Sequence, residues 1–141
     1  MELEFANDGV RDSLTGAMAP ALFHQALLRE IASADREARE LVIASVRIRP
    51  DVNASMAELA QELIALAFLV KSHLRGGDFF SRISDTGFWL LLRTDQTGAE
   101  SVIDRLDLSY RTEVETALIS RNTETYEQWI ARIDEIHFGA H

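Results

Sequence analysis

The residues best suited to chemistry lie in one stretch, 74–93. Arg75-Gly76-Gly77-Asp78 sets a guanidinium and a carboxylate three positions apart, with two glycines between them. An arginine forks onto a phosphate or onto the Hoogsteen edge of guanine. A carboxylate accepts from purine N–H donors. Glycines strip side chains from a turn and let a flat ligand approach the backbone. The same four residues also read as a plain helix end, with Gly76 just past the cap and Asp78 paired to Arg75 or Arg82. Phe79 to Ile83 and Phe88 to Arg93 follow, rich in aromatic and branched residues and separated by Ser84-Asp85-Thr86-Gly87. Turn residues between two such runs predict a hairpin with a polar tip.

Other chemistry finds little support. The histidines, His24, His73, His137 and His141, show no metal-ligand spacing apart from His137 and His141, four apart near the chain end, a poor place for a metal. No nucleophile motif is present. With no cysteine, disulfides, thiolate catalysis and cysteine zinc sites are excluded. The net charge of −9, from 14 basic and 23 acidic residues, opposes a broad nucleic-acid footprint. It still allows one small anion on a few arginines, and every basic residue except Lys71 is arginine.

These groups must be positioned by a small domain. The 141 residues, 47% hydrophobic, suit a single domain over 1–141 with a real core, residues 1–10 forming a loose lead-in. The acidic start is unlike a signal peptide, and the longest apolar run, 63–70, is too short to span a bilayer. A soluble cytoplasmic protein without membrane insertion is expected. Helices are predicted over Ala21 to Arg39, Met56 to Leu74, Thr97 to Leu106 and Thr123 to Phe138. In the first, Leu22, Ala26, Ile31 and Ala34 face inward, and Asp35 and Arg39 are spaced for an ion pair. In the second, Leu59, Leu63, Leu66, Val70 and Leu74 form a stripe widened by Ala60, Ala67 and Phe68, and Ser55 with Glu58 makes a capping box. In the third, Ala99, Val102, Ile103 and Leu106 face inward, and in the last Tyr126, Ile130, Ile133 and His137 share a face. Strands are predicted over Leu41 to Ile48 and Thr112 to Ile119, beside the hairpin. Helix, strand, helix, hairpin, helix, strand, helix is an α/β (α+β) order.

The hairpin region resembles the GGDEF family of diguanylate cyclases. Arg82 stands two residues before the tip and Phe88 closes it, as in that family, but Gly-Gly-Asp/Glu-Glu has become Ser84-Asp85-Thr86-Gly87. Arg75-x-x-Asp78 matches the family's Arg-x-x-Asp product site. Asp12-x-Leu14-Thr15-Gly16, with Phe23 seven residues on, matches its opening motif, although Ala19-Pro20 replaces the usual Asn-Arg. Arg105 falls on an arginine that touches bound cyclic di-GMP in some members. Asp134 and Phe138 resemble the final-helix motif, and His141 stands where a triphosphate-binding lysine would be.

The resemblance implies a palm-like nucleotidyl-cyclase fold with a central mixed sheet flanked by helices. It also shows what has gone. The strand positions that supply metal carboxylates read Ser45-Val46-Arg47 or Arg47-Ile48-Arg49, depending on register. Asp51 lies beyond the strand, and Asn53 alone remains of the guanine-recognition loop. Magnesium needs hard oxygen ligands, and an arginine repels it; Arg47 and Arg49 either project outward or keep a phosphate role. The implied function is a catalytically inactive regulatory domain of bacterial signalling. It would bind cyclic di-GMP through Arg75, Asp78 and Arg105, need no metal or cofactor, and signal to a protein partner. The alternative is a docking or dimerisation module, including a homodimer, that binds no nucleotide.

Overall fold

The computed structural model describes residues 8–49, 52–108 and 114–138. Expectations for residues 1–7, Asp51, the start of the last strand at Thr112, His141, and the side chains of His137 and Phe138 lie outside what is described. The elements are α1 (Pro20–Glu37), β1 (Val42–Ile48), α2 (Met56–His73), β2 (Phe79–Ser84), β3 (Gly87–Leu92), α3 (Gln96–Leu106), β4 (Val114–Ser120) and α4 (Tyr126–Phe138).

Local chemistry sets most boundaries. Pro20 starts α1, where its missing N–H costs nothing. Ser55 and Glu58 form the full capping box at the start of α2, with bonds of 3.0 Å in each direction. Asp95 caps α3 by accepting from Gly98 N at 2.8 Å. Among the described residues no helix is long and apolar enough to cross a membrane.

The strands lie in the order β2-β3-β1-β4. Among the described residues every strand pairing is antiparallel: β1 with β3, β1 with β4, β2 with β3. The expected mixed sheet is thus antiparallel in its four strands, and parallel pairing is confined to an isolated bridge between Met18 and Ser81. The reason is topological. The connection through α2 sets β2 in the same direction as β1, but the hairpin folds β3 into the space between them. The connection through α3 likewise leaves β1 between β3 and β4. This is the βαββαβ split arrangement, with α1 before it and α4 after it.

Both sheet faces are covered, which is why β1 reads apolar on both sides. One face, with Val42, Ala44, Val46, Phe80, Phe88, Leu90 and Leu92, packs on α2 and α3. The other, with Leu41, Ile43, Trp89, Leu91 and Ile119, packs on α1 and α4. Three expected contacts differ. α1 buries Phe23 and Leu27 beside Ala26, Ile31 and Ala34, while Leu22 is only half-buried. Phe68 points outward from α2. Asp35 pairs with Arg121 at 2.7 Å, and Arg39 turns to Glu37 and Glu30.

His24 lies between the α1 and α4 layers. Its Nδ1 is 2.8 Å from the Tyr126 hydroxyl, and its ring meets Phe23, Trp89 and Tyr126 edge-on. Burial holds its pKa below the usual 6.5, against the opposing pull of Asp134. Below that value the unfolded chain binds the proton more readily, so stability falls as pH drops through 6.5 toward the depressed folded value. The melting temperature is expected to decline between about pH 7 and pH 5. His24→Gln should flatten that decline; an unchanged slope in the variant would assign it to other groups.

Candidate functional site

The hairpin is anchored by a buried ion pair. Arg82 and Asp12 meet at 3.2 Å with side-chain exposures of 0% and 2%. The same guanidinium donates to the Asp85 carbonyl at the tip, from Nε at 3.3 Å and Nη2 at 2.8 Å. Asp12 also accepts from the Thr15 N–H at 2.9 Å and hydroxyl at 2.6 Å. Gly16 closes this loop with φ 74°, and its N–H donates to the Asp12 carbonyl at 2.9 Å. The Asp-x-Leu-Thr-Gly motif therefore serves as a lock for Arg82. The segment then runs along β2: Ser81 Oγ donates to the Met18 carbonyl at 2.6 Å, and Met18 N donates to the Phe80 carbonyl at 3.1 Å. This covers the sheet's edge strand.

The tip is short. Ser84 pairs with Gly87, leaving Asp85 and Thr86 as the loop, with a register shift between Arg82 and Ser84. Both tip carbonyls are used, Asp85 by Arg82 and Thr86 by the Ile48 N–H at 2.9 Å. The tip is thus fixed to the end of β1. Near that end, Arg47 reaches Glu115 on β4 at 3.6 Å, and Arg49 also bonds Glu115. These three line a cavity of about 320 Å3 with Ser45, Thr116, Ala117 and Ile136. Among the described residues no cluster of three or more acidic, histidine or cysteine side chains could hold a metal.

The turn after α2 is built by Asp78 and Gly77. Leu74 leaves the helix extended, at φ −77° and ψ 144°, so Gly76 is not its left-handed cap. Asp78 N donates to the Arg75 carbonyl at 3.0 Å, and the positive φ, 93°, falls on Gly77, as at the third position of a type II turn. Among the described residues no guanidinium pairs with the Asp78 carboxylate. It accepts from the backbone N–H of Arg75 at 3.2 Å and of Arg93 at 3.0 Å. A Cβ at Gly77 would also meet the Arg93 side chain, which would have to shift.

Arg75, Asp78 and Arg105 line one cavity of about 220 Å3 with Gly76, Arg93, Thr94 and Ser101. Arg75 and Arg105 are exposed and Asp78 is half-buried. The sequence reading missed Arg93 as a wall of this cavity. Continuing the pairing of Phe79 with Leu91 by two residues sets Gly77 opposite Arg93, so the hairpin register could have found it. Arg93 also pairs with Glu30 on α1 at 2.9 Å.

No sequence-family model matches the chain, and no curated protein matches it by sequence. Solved structures do match. The GGDEF domain of DgcB from Caulobacter crescentus, in complex with c-di-GMP, superposes at TM-score 0.78 with 15% identity, over 94% of this chain and 88% of that one. The diguanylate cyclase SiaD from Pseudomonas aeruginosa, in complex with its activator SiaC, gives 0.75 with 25% identity, over 91% of this chain and 56% of that one. A Thermotoga maritima diguanylate cyclase gives 0.70 with 21% identity, over 88% and 98%. The chain is a GGDEF-like domain in fold.

Within this GGDEF-like domain, Arg82→Met is expected to be severe. It leaves the Asp12 carboxylate buried without its cation and frees the Asp85 carbonyl, a change in the range of about 3–5 kcal/mol. Urea unfolding of the two proteins measures it. A loss near that of a surface substitution, under about 0.5 kcal/mol, would show that the pair does not hold the hairpin.

Proposed function

We propose that this chain is a catalytically inactive GGDEF-like regulatory domain that binds cyclic di-GMP at the turn between α2 and β2. The observation that carries the reading is the meeting of Arg75, Asp78 and Arg105, up to thirty positions apart in sequence, around one cavity. The two exposed guanidiniums supply charge-assisted donors for phosphate or guanine. Asp78 holds Arg75 in place through the backbone, and its remaining lone pairs can accept from a base. At about 220 Å3 the cavity is smaller than an ordinary ligand site of about 300–1,000 Å3, so it takes one base of the dinucleotide. A depression of about 410 Å3 shares Arg75, Gly76 and Asp78 and adds Arg11 and Lys71, giving the rest of the anion cationic neighbours. Ligand-bound DgcB, of the same fold, supports this reading.

Inactivity rests on the residues near the tip. Metal-assisted phosphoryl transfer requires carboxylates for magnesium and cations for the triphosphate. β1 offers Ser45 and Arg47 instead, and Arg47 is engaged with Glu115. Purified protein with GTP and magnesium or manganese is expected to form no cyclic dinucleotide. Turnover that disappears in Asp85→Ala would overturn this.

Calorimetric titration with cyclic di-GMP tests binding. Arg75→Ala removes a contact of roughly 1.5–3 kcal/mol and should weaken binding about ten- to a hundredfold, with the melting temperature unchanged because the side chain is exposed. Asp78→Ala should lower both, since it frees two backbone donors. A wild-type protein that gives no heat at high micromolar ligand would leave the second reading, a protein-docking module in the cytoplasm. The solved complex of SiaD with its activator favours that alternative.

A further inference from the structure

The outer face of α2 carries an exposed stripe without charge. Leu59, Leu63, Leu66, Ala67 and Val70 are buried beneath the helix. The outward positions Ala57, Gln61, Ile64, Ala65, Phe68 and Ser72 recur at helical spacing along one side. Phe68 is 75% exposed and Ile64 40%. No charged side chain belongs to this stripe over its length of about 22 Å. Charge returns at its ends, with Glu58 in the first turn and Lys71 in the last. The chain as a whole carries −9, with 23 acidic residues, so two copies repel over most of their surfaces. The α2 stripe is a place where they need not.

The positions of the stripe are symmetric about its midpoint. Position 57 mirrors 72, 61 mirrors 68, 64 mirrors 65, and the acidic end at 58 mirrors the basic end at 71. We propose that a second copy of this chain covers the stripe, the two α2 helices lying antiparallel about a two-fold axis between residues 64 and 65. Each Phe68 ring then faces Gln61 of the other copy, and Ala57 leaves room beside it. The acidic start of each helix comes level with the basic end of the other. A parallel pairing would set like charges level and is disfavoured. Such a contact is self-complementary, as a two-fold interface requires. One helix pair buries less than the ~800 Å2 per partner of a standard interface, so the dimer dissociates on dilution. The proposal does not depend on the nucleotide reading.

Sedimentation of the full chain over roughly 1 µM to 1 mM tests it. The expected mass shifts with concentration from 15.8 kDa toward twice that value. Phe68→Glu, at an exposed position, should keep the melting temperature and stay monomeric throughout. Because the chain has no cysteine, introduced ones report the geometry under mild oxidation. Ala65→Cys should link to itself; Ala57→Cys should not, yet should link to Ser72→Cys when the two are mixed. A wild-type monomer over the whole range overturns the proposal and leaves the stripe to a different protein. So does a dimer indifferent to Phe68→Glu, or self-linking of Ala57→Cys.

Discussion

Arg82 has no exposed side-chain surface, and its partner Asp12 has almost none. Removing two charges from water costs several kcal/mol for each ion, and the mutual attraction offsets this only when the remaining donors and acceptors are also met. Here they are met by the Asp85 carbonyl on one side and by Thr15 on the other. A single knot therefore fixes the hairpin tip, the edge of the sheet and the entry to α1, although its two ions are seventy positions apart. The tip in turn holds the end of β1 through Thr86 and Ile48. Loosening the pair would release the edge of the sheet and the hairpin tip.

What could be read in advance follows the range of the interactions. The hairpin, the double-faced β1 and the Ser55–Glu58 cap are set by neighbours within a few residues, and each stands where the spacing put it. Partners chosen across the fold were not readable. Asp35 is four residues from Arg39, yet it pairs with Arg121, 86 residues away. Trp129 is fully buried in the α1–α4 layer beside Ile133, although the face read from spacing, Tyr126, Ile130, Ile133 and His137, did not include it. Phe68 looked like a wider core stripe, because periodicity cannot say where the sheet stops covering a helix.

The candidate site divides in the same way. Arg75, Asp78 and Arg105 were legible as a set through family resemblance, and they meet around one cavity. The work done by Asp78 was not legible, since a carboxylate that could accept from a base could equally accept from backbone N–H groups, and it does the latter. The two glycines looked equivalent. Only Gly77 takes the left-handed conformation, and only Gly77 lies against another side chain.

That contact joins the rim of the cavity to the opposite layer of the domain. Arg93 crosses Gly77 and ends on Glu30 of α1, which Arg39 also approaches at 3.9 Å. An anion placed against Arg93 would compete with Glu30 for the same guanidinium. The glycine thus does more than shape a turn. By having no side chain, it leaves room for the guanidinium that joins the cavity wall to α1.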